Sequence, residues 1–463
     1  MDITIGFDKS TLLINNLPDH ILPLLNKVKW DSRTGEYRAP AYYYRDIVLT
    51  LRHHKIAYKD LARLFQPCEF PIKHKISPRV YQEEALMAWQ KEGSKGVVVL
   101  PTGAGKTILA VLCIEKTSRP TLIHVPTIDL MHQWHDVLKK HFEIPIGLLG
   151  GGANEIQPIT VATYDSALLH VNHKGNHFGF QIFDECHHLP GAQFKYTAIG
   201  SIAPFRLGLT ATPERNDGKQ NLLYDLCGPL CFQSHIHELK GSTLSTYDVI
   251  TIEVEMQAEE REMYESARQC YIDFLQEEQI FFNQPYGWNN FLYKTTQSQK
   301  GREAFKAYLL QKQLSQASKS KEEKIWEIVQ QHTKDRILIF TQDNEMAYRI
   351  GRRFFWPVLT HNTKIKERTN FLDRFRNGTY SILVTSKVLN EGVDVPEANV
   401  GIIVSGSGSI REHVQRLGRL LRARKDKHAV LYELVSKNTG EYFVNKRRRK
   451  HSAYKESSKI QNK

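Results

Sequence analysis

The segment 100–107, LPTGAGKT, has the residue types that a phosphate-binding loop requires, in the required order. Gly103 and Gly105 would let backbone N–H groups approach phosphate oxygens closely, because glycine lacks a Cβ atom. The Lys106 ammonium would neutralise the β- and γ-phosphates, and the Thr107 hydroxyl would ligate Mg²⁺. The general pattern starts with glycine where this chain has leucine. A glycine-rich turn between a strand and a helix is therefore the alternative interpretation of this segment alone.

Two adjacent acidic residues end an apolar run in the segment 180–188, FQIFDECHH. Successive side chains of a strand point to opposite faces, so Asp184 and Glu185 can have different roles. Asp184 can hold Mg²⁺ directly or through water, and Glu185 can orient and deprotonate an attacking water molecule. An acidic helix N-terminus is the alternative. His187 and His188 have no Cys or carboxylate partner at ligand spacing, which argues against a metal site built on them.

A third apolar run ends in the letters LTATP, where the hydroxyls of Thr210 and Thr212 would connect a nucleotide site to moving parts. Threonine is common at strand ends, so these letters mean little by themselves. Their position is informative, because they follow the glycine-rich loop and the acidic pair in order. Arg215, Asn216 and Asp217 come directly after them; arginine can bind a DNA phosphate or a carboxylate, and aspartate can bind a basic group. An exposed ion pair is the alternative.

Guanidinium groups recur on one predicted helical face in the segment 415–422, QRLGRLLR. Arg419 and Arg422 are three residues apart and Gln415 lies four residues before Arg419, so one face presents all three side chains. Two guanidinium groups suit the negative charge that develops during transfer of a γ-phosphoryl group. A solvated cationic helix face is the alternative interpretation.

Apolar runs alternate with helical stretches in two parts of the chain, which is typical of buried parallel strands joined by crossover helices. The predicted strands are 96–100, 121–125, 159–162, 180–183 and 206–209 in the first part, and 336–341, 357–360, 380–385, 400–404 and 428–434 in the second. The fold class is therefore α/β with two parallel-sheet domains. We expect the first domain to supply the loop and the acidic pair to a nucleotide cleft, and the second to supply the arginines.

The pattern changes outside these two domains. Alternating apolar residues near the start predict a hairpin around residues 8–10, and residues 44–51 have helical spacing. Apolar spacing over 259–278 and 305–309 predicts a helical hairpin inserted on or beside the second α/β domain. The predicted domains are 1–75 (small α+β domain), 76–245 (ATP-binding domain), 246–325 (linker strand plus helical insert), 326–440 (second α/β domain) and 441–463 (basic tail).

Composition limits the class of protein. The 463 residues are 41% hydrophobic and 24% charged, which is enough for packed cores. The net charge of +13 is concentrated in 411–427 and 441–463, with excesses of +5 and +6, and favours an anionic partner. Six scattered Cys without a Cys-x2-Cys pair predict neither a disulfide framework, nor zinc, nor an iron–sulfur cluster. We expect no membrane span and no signal peptide, hence a cytoplasmic protein.

Together, these motifs resemble those of the superfamily 2 helicases and translocases, in that family's order. The letters RVYQE at 79–83 resemble the segment before its ATP loop, and 124–134 and 161–166 resemble DNA-contact motifs of its first domain. Residues 390–396 and 415–422 are similar to its fifth and sixth motifs. By this resemblance Gln82 would contact adenine. The nucleotide-binding residues that it implies are Gln82, Thr102, Gly103, Ala104, Gly105, Lys106 and Thr107.

Finer details resemble the XPB branch of that superfamily, in its short archaeal form. Arg215–Asp217 resembles the branch's Arg-Glu-Asp motif, with Asn216 in place of Glu. The insert at 257–320 resembles its thumb, and residues 30–39 resemble part of its small damage-recognition-like N-terminal domain. Residues 405–409 and 440–441 also match archaeal relatives. The resemblance implies two RecA-like parallel-sheet domains, a helical thumb-like insert and a small N-terminal α+β domain.

The resemblance also implies an activity: ATP-dependent unwinding of DNA, or translocation along its duplex, with 3′→5′ polarity, ATP and Mg²⁺. It implies a setting in nucleotide excision repair in an archaeal cytoplasm, with duplex, fork or bubble DNA and a partner nuclease. An RNA helicase or restriction-type translocase is the rival among enzymes. An ATP-gated nucleic-acid-binding switch is the rival from another class. The presence of Glu185, Arg419 and Arg422 favours an enzyme, because a switch needs no hydrolytic groups.

Overall fold

The computed structural model describes residues 2–25, 27–213, 218–234, 238, 246–284, 286–386, 398–405, 428–442 and 458–459. Its contacts separate two compact units, one formed by residues up to Glu238 and one formed by the described residues after it. Among the helices in these ranges, none combines the length and apolar character that crossing a bilayer demands.

The first unit begins with a small domain of five strands and one α-helix. Its elements are β1 (Ile3–Asp8), β2 (Thr11–Asn15), β3 (Lys29–Asp31), β4 (Glu36–Pro40), α1 (Tyr44–His53) and β5 (Tyr58–Asp60). The strand order is β3-β4-β2-β1-β5, and β1 and β2 form an antiparallel hairpin. Lys9 and Ser10 connect them with φ of 44° and 69°, which two-residue hairpin turns favour. The predicted hairpin and the predicted helix are both confirmed.

An α/β domain with an eight-stranded sheet follows. Its elements are α2 (Val80–Lys91), β6 (Lys95–Val99), α3 (Lys106–Thr117), β7 (Thr121–Val125), α4 (Ile128–His141), β8 (Ile146–Gly150), β9 (Ala153–Glu155), β10 (Ile159–Thr163), α5 (Tyr164–Lys174), β11 (Phe180–Asp184), α6 (Lys195–Ile199), β12 (Phe205–Thr210), α7 (Gln220–Cys227) and β13 (Leu230–Gln233). The strand order is β13-β6-β12-β11-β7-β10-β8-β9. The five predicted strands are β6, β7, β10, β11 and β12, which pair in parallel. Strands β7, β10 and β11 are buried throughout, which explains their continuous apolar runs.

The small domain packs directly on this α/β domain. Ile202 belongs to the same buried apolar core as the strands of the small domain. Asn176 Nδ2 donates to the carbonyl of Ala62 at 2.8 Å. The buried Arg206 guanidinium lies 4.5 Å from the Tyr42 ring centroid and donates to four backbone carbonyls of its own domain. Apolar and polar contacts thus join the two domains into one unit.

The second unit contains a seven-stranded parallel sheet and six helices within the described residues. Its elements are β14 (Thr246–Val254), α8 (Ala258–Glu277), α9 (Gly287–Gln297), α10 (Gln299–Gln316), α11 (Lys319–Gln331), β15 (Ile337–Phe340), α12 (Asn344–Phe354), β16 (Val358–Leu359), α13 (Ile365–Arg376), β17 (Ile382–Thr385), β18 (Val400–Ile403), β19 (His428–Ser436) and β20 (Ser458–Lys459). The strand order is β16-β17-β15-β18-β19-β14-β20. The predicted linker strand, β14, therefore lies inside this sheet, where it pairs in parallel with β19 along its whole length.

Helices α8, α9 and α10 form the insert between β14 and α11. Phe274 and Phe291 are buried at its centre, and Tyr271, Phe305 and Tyr308 pack around them. The sequence prediction of a two-helix hairpin is wrong in number, because α9 is a third helix. Asparagine and threonine give the α9 segment weak helix propensity, so local sequence did not reveal it. Contacts of the Phe291 ring with aromatic rings of α8 and α10 stabilise α9 instead.

Candidate active site

Three predicted site segments meet at one edge of the first large sheet. Strands β6, β12 and β11 are neighbours and run in parallel, so their carboxyl ends lie side by side. The glycine-rich loop follows β6, the acidic pair Asp184–Glu185 ends β11, and Thr210 ends β12. Ligands of open parallel sheets bind at this edge. The fold therefore brings together residues that lie about a hundred positions apart in the chain.

The loop has the backbone geometry of an anion-binding turn at the start of a helix. Gly103 and Gly105 have φ of 84° and 81°, a region that side chains with a Cβ rarely adopt. Helix α3 begins at Lys106, so its N-terminal N–H groups and its dipole are available to an anion. The buried Thr102 Oγ1 has no hydrogen-bond partner among the described residues. These features fit a bound polyphosphate.

Helix α2 supports this loop from behind. The Gln82 side chain is 3% exposed, and its Nε2 donates to the carbonyls of Ala104 at 3.3 Å and Gly105 at 3.1 Å. A Cβ on Gly105 would come within 2.5 Å of this Nε2, which adds a second reason for glycine there. Gln82 Oε1 accepts from the backbone N–H of Arg79 at 2.9 Å. Gln82 thus holds the loop in place, and its contact with adenine stays a prediction.

Asp184 is buried at the end of β11 and is held by two hydrogen bonds. Its Oδ2 accepts from the Trp134 indole Nε1 at 2.7 Å, and its Oδ1 accepts from the backbone N–H of Glu185 at 3.0 Å. Burial raises the pKa of Asp184, whereas the nearby Lys106 ammonium acts to lower it. The positive charge of Lys106 therefore favours the ionised form of this buried carboxylate. A cation beside Asp184 would stabilise its ionised form further.

Glu185 begins a chain of polar contacts that leads to the end of β12. Its backbone has φ of 46°, and its Oε2 lies 3.5 Å from His187 Nδ1. The same Nδ1 is 3.1 Å from Thr210 Oγ1. Thr210 Oγ1 donates to the Thr212 carbonyl at 3.0 Å and accepts from the Thr212 N–H at 3.2 Å. The acidic pair and the Thr-Ala-Thr segment are therefore linked through one imidazole.

Three family profiles match this chain. Residues 5–62 match the Xeroderma pigmentosum group B helicase damage recognition domain, and residues 302–454 match the ERCC3/RAD25/XPB C-terminal helicase. Residues 75–215 match the Type III restriction enzyme res subunit. A protein of Sulfurisphaera tokodaii named DNA 3′-5′ translocase XPB2 is 40% identical over 423 residues, which cover 91% of this chain and 95% of that protein. The chain belongs to the XPB family.

The chain is also similar to longer proteins of the XPB family. A Kineococcus radiotolerans protein named DNA 3′-5′ helicase XPB is 33% identical over 377 residues, which cover 78% of this chain and 60% of that protein. Among solved structures, the Pyrococcus furiosus Hef helicase domain matches with a TM-score of 0.51 and 19% identity, over 80% of this chain and 98% of that one. The structural likeness agrees with the two parallel-sheet domains, and the fold class predicted from the sequence is confirmed.

The structure brings together one part of the predicted site and does not describe the other. Lys106, Thr107, Asp184, Glu185 and the Thr-Ala-Thr hydroxyls lie at one sheet edge. The remaining candidates lie outside the described residues and stay predictions: Arg215, Asn216, Asp217, Gln415, Arg419 and Arg422.

Sequence reasoning missed two residues of this XPB-family site. Trp134 lies in the segment 124–134 that resembles a DNA-contact motif, but it is 1% exposed and donates to Asp184. Its helical spacing with Met131 and Leu138, both buried, was the available signal. The sequence argued against His187 as a metal ligand and placed it at the end of a segment, 184–187, that resembles a DEAH-type box, but it predicted no contact for this side chain. Within the described residues no group of three ligating side chains could hold a metal, and His187 instead bridges Glu185 and Thr210.

Proposed function

We propose that this XPB-family chain is an ATP-dependent DNA translocase that moves with 3′→5′ polarity and opens duplex DNA. The single observation that carries this proposal is the sheet edge where the phosphate loop, Asp184–Glu185 and Thr210–Thr212 converge. The printed names of the Sulfurisphaera and Kineococcus relatives support the choice of DNA and the direction of movement.

The first step of the proposed cycle is binding of the ATP phosphates by the loop. Lys106 Nζ donates to the carbonyl of Leu100 at 3.3 Å, a neutral partner that a phosphate oxygen would replace. The N–H groups at the start of α3 would hold the same phosphates. Thr107 and Asp184 would hold Mg²⁺, which when bound neutralises phosphate charge.

Hydrolysis then depends on Glu185. Its carboxylate would take a proton from a water molecule while the water oxygen bonds to the γ-phosphorus and the bond to the β–γ bridging oxygen breaks. ADP and phosphate are the products. Gln415, Arg419 and Arg422 are proposed to stabilise the charge of this step. His187 would pass the change at Glu185 to Thr210, and Arg215, Asn216 and Asp217 beyond it would couple the cycle to DNA.

We further propose a role in nucleotide excision repair, on forks or bubbles and beside a nuclease, in the cytoplasm of an archaeal cell. Yeast relatives are named as subunits of a general transcription and DNA repair factor, which supports a repair setting. A second candidate is movement along duplex DNA without strand separation. The match of residues 75–215 to a restriction-enzyme subunit favours it.

The test measures ATP turnover and strand displacement in one buffer, with Mg²⁺ present or chelated. Substrates are forked DNA with a 3′ tail, the same fork with a 5′ tail, and a blunt duplex that carries a third strand. Faster ATP turnover with DNA and displacement only on the 3′-tailed fork would support the first proposal. Release of the third strand without fork opening would select the second candidate. ATP turnover that DNA does not stimulate would refute both.

A further inference from the structure

A lysine and a glutamate form a buried ion pair in the second unit. Lys321, at the start of α11, is fully buried, and its Nζ lies 2.7 Å from Glu441 Oε2. Glu441 is 7% exposed, although the sequence places it at the start of the basic tail. Its Oε2 also accepts from the backbone N–H of Ser436 at 3.0 Å. The pair therefore fixes the turn 436–441 that follows β19 onto α11.

The same turn holds both long helices of the insert. Ser436 Oγ donates to the carbonyl of Ser315 near the end of α10 at 2.6 Å. Arg261 of α8 donates through Nη2 to the carbonyl of Lys437 at 2.7 Å. The backbone N–H of Gly440 donates to the Tyr264 hydroxyl of α8 at 3.2 Å. A displacement of α8 or α10 would therefore act on this turn.

Another contact of Lys321 leads toward the predicted arginine segment. Lys321 Nζ donates to the carbonyl of Val404 at 2.9 Å, directly after β18 ends. The next residue, Ser405, accepts through Oγ from the backbone N–H of Gln342 at 2.9 Å. Residues 406–427, which include Arg419 and Arg422, follow in the chain. One ammonium group thus contacts both the turn that holds the insert and the strand end from which the arginine segment starts.

Net stability is a weak explanation for this arrangement. A buried ion pair contributes little more than apolar side chains of similar volume, since removing two charges from water offsets their attraction. In some proteins a buried polar pair instead selects one arrangement of the elements that carry it. We propose that Lys321 and Glu441 are positioning residues that couple movement of the helical insert to the strand end before the arginine segment. This inference rests on the proposed function.

The test replaces the pair by apolar residues in the full chain, as Lys321→Met with Glu441→Leu. The matched control is Lys437→Met with Glu255→Leu, which removes an exposed ion pair that joins the same turn to the end of β14. Measurements are the thermal unfolding midpoint, ATP turnover without DNA, ATP turnover with forked DNA, and strands displaced per ATP. Buried pairs often tolerate apolar replacement. The Ser436 N–H and the Val404 carbonyl lose a partner in this variant, so we expect it to fold with a lowered unfolding midpoint.

A coupling role predicts that the double variant keeps ATP turnover without DNA within about twofold and loses about tenfold of its stimulation by DNA, the usual size of coupling between sites. The control should keep its stimulation. Stimulation and displacement per ATP equal to wild type in a folded double variant would overturn the proposal. If the double variant does not fold, Arg261→Gln combined with Tyr264→Phe decides, because these two changes remove the hydrogen bonds described above between α8 and the turn. Lost stimulation then supports the coupling role, and unchanged stimulation overturns it.

Amide exchange separates failure of this inference from failure of the proposed function. If wild type shows no stimulation by DNA, the proposed function fails. The coupling role of Lys321 and Glu441 is then tested by amide exchange in α8 and α10 with and without a nonhydrolysable ATP analogue. A nucleotide-dependent change of amide exchange in wild type that disappears in the double variant supports the coupling role. No change in wild type, or the same change in the variant, overturns it.

Discussion

Adjacent carboxylates acquire different environments at the end of β11. Asp184 is buried, accepts from Trp134 and is stabilised in its ionised form by the charge of Lys106, whereas the Glu185 side chain is 14% exposed and lies beside His187. A left-handed backbone at Glu185, with φ of 46°, turns the chain between the two. Such conformations in non-glycine residues cost energy and cluster at functional sites. The two side chains can therefore serve the cation and the attacking water separately.

This division of roles predicts different defects for single substitutions. Lys106→Ala should weaken ATP binding, because the phosphates lose their cationic partner. Glu185→Gln should bind ATP normally and lose about 10²–10⁴-fold in turnover, the usual cost of losing a general base. Equilibrium binding of a fluorescent ATP analogue and steady-state phosphate release measure the two effects, with the exposed Glu83→Gln as control. Near wild-type turnover in Glu185→Gln would show that the base lies elsewhere.

His124 makes the stability of the first unit depend on pH. It is fully buried and stacked on Phe183 with ring centroids 4.5 Å apart, and burial lowers its pKa to about 3. The unfolded chain binds a proton near the ordinary value of ~6.5, and the folded chain does not. The free energy of unfolding is therefore unaffected by this group above pH ~6.5, and it decreases as the pH falls from there toward 3.

The expected result is a free energy of unfolding that falls by up to about 1.4 kcal/mol per pH unit within that window because of this one group. His124→Gln should flatten the dependence, and His173→Gln, at an exposed position, should not. Urea unfolding between pH 4 and 7 measures both. An equally steep dependence in His124→Gln would assign the effect to other groups.

At the scale of elements, α12 ends at a residue with an unfavourable backbone conformation. Phe355 caps this helix with φ of 56°, and its side chain is 93% exposed. Glycine is the usual residue in this position, because a Cβ is strained in the left-handed region. The stacked rings of Trp326 and Phe354 lie at the same end of α12, with centroids 5.5 Å apart. Indole fluorescence can therefore report on unfolding of this region.

Phe355→Gly should raise the free energy of unfolding of the second unit by about 0.5–1 kcal/mol, through relief of this strain. Phe355→Ala keeps the Cβ and serves as the control, with little change expected. Urea unfolding followed by tryptophan fluorescence compares the three proteins. A glycine variant less stable than the alanine variant would show that the ring or its backbone is stabilised by contacts that outweigh the strain.

At the scale of the whole molecule, the net charge of +13 should make DNA binding depend on salt. Glu441 is buried against Lys321, and β20 near the chain end pairs with β14, so deletion of the whole tail would also remove structural contacts. A more selective change than this deletion replaces only the five basic residues at 446–450, KRRRK, by glutamine. The slope of log affinity against log salt should then shrink by up to about 4.5 units on duplex DNA, about 0.9 for each of the five side chains.

Filter binding at four salt concentrations measures that slope, and the thermal unfolding midpoint serves as the control for folding. An unchanged affinity and slope would show that this run does not contact DNA. Binding of a protein partner would then explain this basic run better than binding of DNA.

The sequence by itself determined the features that depend on local pattern. Continuous apolar runs identified the parallel strands, because a strand buried on both faces has no polar side to alternate with. The hairpin at Lys9–Ser10 and the glycine-rich turn before α3 followed from residue types over a few positions. The helix α9 did not, because its stability comes from aromatic contacts with α8 and α10 and not from propensity.

Only the tertiary structure decided which distant residues meet. Trp134 and Asp184 are 50 positions apart, and Lys321 and Glu441 are 120 apart. Likewise, β14 pairs with β19, whose residues come 182 positions later. Local pattern reports burial and chain direction, but it carries no information on which buried polar group satisfies another. That choice follows from strand order and helix packing, which fix the partners only when the chain has folded.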